Sequence, residues 1–234
     1  MKFRQIFLAM TAGLLIICSP TLVAGDSASF VDLGFSQDGS IYMFAQYGVR
    51  FDTLRPWADM FIVDVARNDF VREGRISYTH DRPIDAGQDG AGALYRLLAK
   101  NAPLSERYGV TYPNQGQPLY IALEGDPAYE GDTITFRDFV SGVSYQANLV
   151  ETISGSGNGM ESSFYINLEC SDSDGSFRTF KIGTPELWRP LISSYRIKQV
   201  LIAPPGNSLI FVIEMKRHAE GGNDIRYMIE ALRL

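Results

Sequence analysis

Carboxylates are the most frequent side chains in this sequence that could do chemistry. The chain has 27 aspartates and glutamates but only 2 histidines. A glycosidase needs two carboxyl groups facing each other at roughly 5 to 10 Å. Charged loop residues are mostly exposed to solvent, so solvated carboxylates are the favoured interpretation and no catalytic residue is assigned. The candidates for such a pair are Asp59, Asp64, Glu124, Asp126, Glu130 and Asp132.

Metal ligands are sparse in the sequence. His80 and His218 lie far apart and have no cysteine at the spacing of a zinc site. Asp172, Asp174 and Gly175 have the residue types of a calcium loop, but the further ligands and the closing glutamate of an EF-hand do not follow. A hairpin turn is therefore favoured there over calcium, and the sequence predicts no cofactor.

Nucleophiles are equally sparse. No Gly-x-Ser-x-Gly elbow is present. Cys170 follows Glu169, and a neighbouring acid raises the pKa of a thiol rather than activating it. Cys170 is therefore predicted to be an inert, at least half-buried thiol.

A recognition surface is the remaining candidate site. Aromatic and arginine residues, which are enriched in recognition surfaces, lie in or beside Pro- and Gly-rich loops. The alternative is that these aromatics close the open ends of β-sheets. The predicted binding residues are Arg55, Trp57, Tyr108, Tyr112, Trp188 and Arg189.

The amino-terminal segment has the order of a secretory signal peptide. Lys2 and Arg4 precede an apolar run over residues 6–18, and Pro20 and the small residues 23–25 follow. The run has about 13 residues, fewer than the roughly 20 that span a bilayer. The sequence thus predicts a cleaved leader over residues 1–25 and a single β-rich secreted domain over residues 26–234, with no membrane span after cleavage.

A lipid anchor is the alternative fate of this segment. Residues 15–18 form a loose lipobox that ends at Cys18, although Ile17 stands where a small residue is usual. A lipidated Cys18 would tether the domain to a membrane surface.

The charge balance limits the partners of the chain. The formal net charge is −6, and removal of Lys2 and Arg4 with the leader makes it more negative. Nucleic acid binding rests on clustered Lys and Arg, so nucleic acid is not expected as a partner. An envelope protein or a glycan is expected instead, bound by a monomeric module in the periplasm or at the cell surface. A cell-envelope hydrolase that uses the loop carboxylates from Glu124 to Asp132 is the alternative function.

Strand patterns dominate the rest of the chain. Apolar runs of strand length alternate with Gly-, Pro- and Asp-rich turns, including Asp38-Gly39 and Asp174-Gly175. The predicted fold class is mostly β, with antiparallel blade-like meanders that form a sandwich or a partly open barrel.

One helix is predicted, over about residues 90–100. Asp89 is placed to cap its start, and Asn101 and Pro103 are expected to end it. The helix is expected to cover a sheet with an apolar face formed by Ala91, Leu94, Tyr95 and Leu98.

The two ends of the chain share a pattern. Residues 35–44 and 202–212 each consist of an apolar run, a tight turn and a second apolar run. A later strand follows each segment, opened by Asp59 after the first and by Asp224 after the second. The pattern resembles the blade repeat of TolB-type β-propellers, although Gln37 replaces the usual proline and the second copy lacks Asp-Gly. Propellers need at least four blades, so the resemblance implies blade-like meanders and not a closed propeller.

Three segments carry a second resemblance: the Ser-Gln-Asp-Gly-Ser turn at 36–40, the strand at 58–65 and the Gly-Gly-Asn-Asp-Ile-Arg-Tyr ending at 221–227. With these segments the whole chain resembles a family of uncharacterised, predicted secreted bacterial proteins, a domain of unknown function. The resemblance implies export and provides no catalytic residues.

Overall fold

Antiparallel β-sheet makes up most of the structure, a computed structural model that describes residues 25–85, 87–123, 133–172, 174–219 and 222–234. The predicted mostly β fold class is confirmed. Most of the predicted leader and the loop carboxylates Glu124, Asp126, Glu130 and Asp132 lie outside the described residues. The division into a leader and one domain stays a prediction.

Three sheets contain all the long strands of the described residues. The first sheet has the strand order β4-β3-β2-β1-β5, the outer sheet β10-β9-β8-β7 with β11 beside β9, and the middle sheet β14-β13-β12-β6. The strands are β1 Ser29–Ser36, β2 Ile41–Val49, β3 Pro56–Asp64, β4 Asp69–Thr79, β5 Val110–Thr111, β6 Gln117–Ile121, β7 Thr133–Arg137, β8 Ser144–Ser154, β9 Glu161–Ser171, β10 Phe177–Ile182, β11 Arg189–Pro190, β12 Ile192–Ala203, β13 Ser208–Ala219 and β14 Gly222–Arg233.

The middle sheet lies between the other two. Along β13, Ile210 and Val212 pack against the first sheet, whereas Leu209, Phe211 and Ile213 pack against the outer sheet. Successive side chains of a strand point to opposite faces, so the continuous apolar run of β13 supplies two cores at once. The sandwich, one of the two predicted closures, is therefore the arrangement observed.

The α-helix of the described residues, α1 (Ala91–Arg107), covers the free face of the first sheet, and a short 3-10 helix spans Gly157–Gly159. The predicted cap is wrong, because the N-cap residue is Gly90 and no side chain caps α1; Asp89, one residue earlier, accepts a hydrogen bond from the Ala91 amide at 3.0 Å. The buried face differs from the prediction: it consists of Ala93, Leu94 and Leu97, and Tyr95 is exposed.

The predicted end of this helix is wrong, because α1 continues past Asn101 and Pro103 for another turn. Proline removes one intrahelical amide donor. Leu104 and Tyr108, however, pack against the same core of the first sheet, and tertiary packing routinely overrides local propensity. Within the described ranges, no helix has the length and apolarity needed to cross a membrane.

The two related turns of the sequence contact each other directly. The β1–β2 turn is closed by hydrogen bonds from Ser36 and Ser40 to Asp38, which lower the pKa of Asp38 to about 2. Gly39 in this turn has a φ of +69°. A Cβ atom on Gly39 would overlap the carbonyl oxygen of Pro204, in the turn between β12 and β13. The backbones of these two turns, one from the first sheet and one from the middle sheet, are therefore in direct contact.

Gly39→Ala should destabilise the fold through this contact. We expect a loss of about 3 kcal/mol, because left-handed backbone strain adds to the cost of overpacking. Gly206→Ala is the matched control: Gly206 lies in the opposing turn with a φ of +96°, but its Cβ would meet open space. It should lose only about 1 kcal/mol. Urea unfolding measures both, and equal losses would contradict a role for the contact.

Candidate functional site

A cleft of about 840 Å³ opens between the first sheet and β14. Strands β2, β3 and β4 form one wall and β13 and β14 form the other, and Thr184, residues 187–190 and Ile192 form the rim. Small-molecule sites commonly have volumes of about 300–1,000 Å³. β4 and β14 are edge strands of the first and middle sheets, and residues of both line the cleft.

Gln46 orients one carboxylate in this cleft. The backbone amide of Tyr227 donates a hydrogen bond to Gln46 Oε1 at 2.8 Å, and Gln46 Nε2 donates to Asp59 Oδ2 at 3.2 Å. Gln46 is buried. Because both ends of its amide group are engaged, its position and that of Asp59 are set by the backbone of β14.

Asn68 orients a second carboxylate in the same way. The backbone amide of Ala231 donates to Asn68 Oδ1 at 2.7 Å, and Asn68 Nδ2 donates to Glu230 Oε2. Arg189 Nη2 lies 3.7 Å from Glu230 Oε1. Burial raises the pKa of the Glu230 carboxyl, although the hydrogen bond from Asn68 and the charge of Arg189 oppose this shift. A buried carboxyl with a shifted pKa in a cleft is a typical marker of a functional site.

The two carboxylates are held by anchors spaced along one strand. Tyr227 and Ala231 are four residues apart, which corresponds to about 13 Å in an extended strand. Both anchors are backbone amides of β14, so one strand sets the positions of Asp59 and Glu230.

Arginines and aromatic rings complete the lining of the cleft. The Arg75 guanidinium lies 4.0 Å from the centre of the Phe70 ring. Trp188 lies on the rim and is 41% exposed, so its ring is accessible to a ligand in the cleft. Donors, acceptors and apolar surface are thus all available to a ligand within one site.

Arg226 lines the cleft, and its charge is neutralised by two aspartates. Its Nη2 lies 3.3 Å from both Asp26 Oδ2 and Asp224 Oδ2, and its guanidinium lies 4.3 Å from the centre of the Trp57 ring. The Asp26 backbone nitrogen donates to Asp224 Oδ1 at 2.9 Å. Both aspartates are buried, so this cluster ties the start of the described chain to β14.

The structure brings two of the six predicted binding residues into the cleft, Trp188 and Arg189. Trp57 lies beneath Arg226 and is only 3% exposed, and Arg55 is exposed just before β3. Tyr108 packs at the end of α1 and donates to the Arg72 carbonyl at 3.2 Å, whereas Tyr112 is exposed beyond β5.

Sequence reasoning missed the polar residues that shape the cleft: Gln46, Asn68 and Glu230. One signal could have revealed Glu230, because it is a single charged residue within the apolar run 228–232 of a strand. Asp59 was a candidate among many carboxylates, and its partner could not be deduced from spacing.

The other sequence candidates take structural positions. Asp172 Oδ2 accepts from Ser176 Oγ at 2.7 Å and Asp174 Oδ1 from the Ser176 amide at 2.9 Å, within the β9–β10 turn. No group of three or more potential metal ligands occurs among the described residues. Cys170 is fully buried, and this burial, rather than the neighbouring Glu169, is the main cause that raises its pKa.

The packed sheets define the class of this molecule, a layered antiparallel β protein with an open cleft beside β14. Residues 43–233 match the family model described as "Predicted secreted protein (DUF2259)". The match covers most of the chain, so the protein belongs to this family of secreted proteins, and the predicted export and family resemblance are confirmed. Searches of curated proteins and of solved structures gave no match.

Titration of Glu230 should make part of the stability pH-dependent. A raised pKa means that the folded protein holds this proton more tightly than the unfolded chain, so ionisation costs stability as the pH rises above the ordinary value of 4.5. Glu230→Gln removes this cost. Urea unfolding should therefore show the variant gaining on the wild type as the pH rises above 4.5. Exposed Glu186→Gln is the control, and a Glu230→Gln profile parallel to the wild type would contradict the expectation.

A free amino group at Asp26 should strengthen the Arg226 cluster. In a chain made to begin at Asp26, the ammonium would occupy the position of the nitrogen that lies 2.9 Å from Asp224 Oδ1. Charge-assisted hydrogen bonds are roughly twice as strong as neutral ones. We expect acetylation of this group to lower the free energy of unfolding by about 1 kcal/mol. The difference should vanish in Asp224→Asn, and its persistence there would exclude this ion pair as the cause.

Proposed function

We propose that this secreted protein is a binding module of the periplasm or the cell surface, and that the cleft beside β14 is its ligand site. One observation carries the proposal: two carboxylates in the cleft, Asp59 and Glu230, are each held in place by an amide side chain anchored to the backbone. Orientation of polar groups before the ligand arrives lowers the entropic cost of binding.

The contents of the cleft support binding. Hydrogen bonds from Gln46 and Asn68 hold Asp59 and Glu230 in place before a ligand arrives. The hydrolase alternative rests on the loop carboxylates from Glu124 to Asp132, which lie outside the described residues. It therefore gains no support from the geometry of the cleft.

The rim gives the proposed site an accessible contact surface. Leu187 and Trp188 are 52% and 41% exposed, and Arg189 beside them is held by Glu230. Exposed aromatic residues next to arginine are frequent anchors of recognition surfaces. A glycan and a segment of an envelope protein are both partners that such a rim could contact.

Photocrosslinking in cells tests the proposed site. A photoreactive amino acid at Leu187 should capture a ligand, detected as a mass shift of the purified protein. The same amino acid at Tyr95, which is 70% exposed on α1, is the matched control and should not. Absence of adducts at position 187, or equal adducts at both positions, would contradict the proposal.

Two tryptophan variants separate binding from folding in this experiment. Trp188→Ala should reduce the captured fraction at least tenfold and leave the urea midpoint nearly unchanged, because exposed substitutions change stability by about 0.5 kcal/mol or less. Trp57→Ala removes a buried ring and should cost about 3–5 kcal/mol.

A further inference from the structure

We infer that the ligand of the cleft is an uncharged oligosaccharide, with sugar hydroxyls between the carboxylates and the arginines and a sugar ring against Trp188. The inference rests on the proposed function and names the chemical class of the ligand. It is carried by the alternation of acceptors and donors in the cleft, by its charge balance and by the capped edge of β14.

The polar groups of the cleft match hydroxyls. Asp59 and Glu230 offer carboxylate oxygens, which accept hydrogen bonds when ionised, whereas the guanidinium groups of Arg75 and Arg189 only donate. A hydroxyl both donates and accepts. Neighbouring sugar hydroxyls can therefore satisfy a carboxylate and an arginine together, which a purely accepting or purely donating group cannot.

The charge of the lining favours an uncharged ligand. Three of the arginines that line the cleft are balanced in number by three lining carboxylates, and the fourth, Arg226, is neutralised by Asp26 and Asp224. A cationic ligand would meet the arginines and an anionic ligand the carboxylates, so neither gains a net attraction. The balanced groups are Arg75, Arg189 and Arg217 with Asp59, Asp69 and Glu230.

Apolar surface is placed where the faces of sugar rings could lie. Trp188 is exposed on the rim, and Phe61, Phe70 and Tyr227 line the interior and are each partly exposed. Aromatic rings with an apolar body suit ligands that have both apolar and polar surfaces. A pyranose presents C–H groups on its faces and hydroxyls on its rim, so it fits a cleft with both kinds of lining.

The capped edge of β14 argues against an extended peptide. A peptide would add to the sheet by pairing with outward-facing amides of the edge strand. The amides of Ile225, Tyr227 and Ala231 are already bonded to the Asp26 carbonyl, Gln46 and Asn68. The cleft volume of about 840 Å³ is in the upper part of the range of about 300–1,000 Å³ for small-molecule sites, so an oligosaccharide is favoured over a monosaccharide.

Titration with defined oligosaccharides tests this inference. The probes are the tetrasaccharides of N-acetylglucosamine, β-1,4-glucose and α-1,4-glucose, added to the wild-type protein up to about 10 mM, above the millimolar limit of weak binding. We expect at least one to change the tryptophan emission. The change arises from Trp188, because the only other tryptophan, Trp57, is buried. Trp188→Phe should therefore bind by calorimetry without the emission change.

Variants of the polar groups give the second readout. Asp59→Asn and Glu230→Gln should each weaken binding at least tenfold by calorimetry, and Glu186→Gln, outside the cleft lining, should not. Urea unfolding confirms that each variant is folded. If no oligosaccharide binds while Leu187 still captures a peptide or a charged molecule in cells, the sugar inference is overturned and the binding site stands. If Leu187 captures nothing, the proposed function itself fails.

Discussion

Burial of the middle sheet on both faces is the constraint on which the rest of this structure depends. Residues 209–213 of β13 have almost no exposed surface and divide their side chains between two cores. Each such side chain contributes roughly 1.5–3 kcal/mol on burial, more than the 0.5–1.5 kcal/mol of a typical hydrogen bond. The first and outer sheets must therefore both present apolar faces to this strand, and the order of the layers follows.

The cleft is a consequence of that order. β14 is the edge strand of the middle sheet, and its residues line the cleft together with residues of β3 and β4. Unpaired edge amides invite association with other strands. The side-chain oxygens of Gln46 and Asn68 accept hydrogen bonds from two of these backbone amides. The side-chain amide nitrogens of the same two residues donate to Asp59 and Glu230 and orient them. The same two side chains thus protect an edge and build the proposed site.

The segments that carry the family resemblance have distinct structural tasks. The turn at 36–40 contacts the turn of β12–β13 through Gly39, which joins the first and middle sheets. The strand at 58–65 supplies Asp59 to the cleft, and the ending supplies Asp224 and Arg226 to the buried cluster and Tyr227 to the cleft wall. Sheet packing and site construction therefore draw on the same short segments.

The sequence by itself determined the local structure and the export of this protein. The alternation of apolar residues and the Asp-Gly turns identify most strands and hairpins, because period and turn chemistry are local properties. Only the tertiary structure decided that the C-terminal strands lie between the two earlier sheets. It also decided that Trp57 is buried while Trp188 lines a cleft with Glu230. These facts depend on contacts between residues far apart in the chain, such as Asn68 with Glu230, and no local pattern records them.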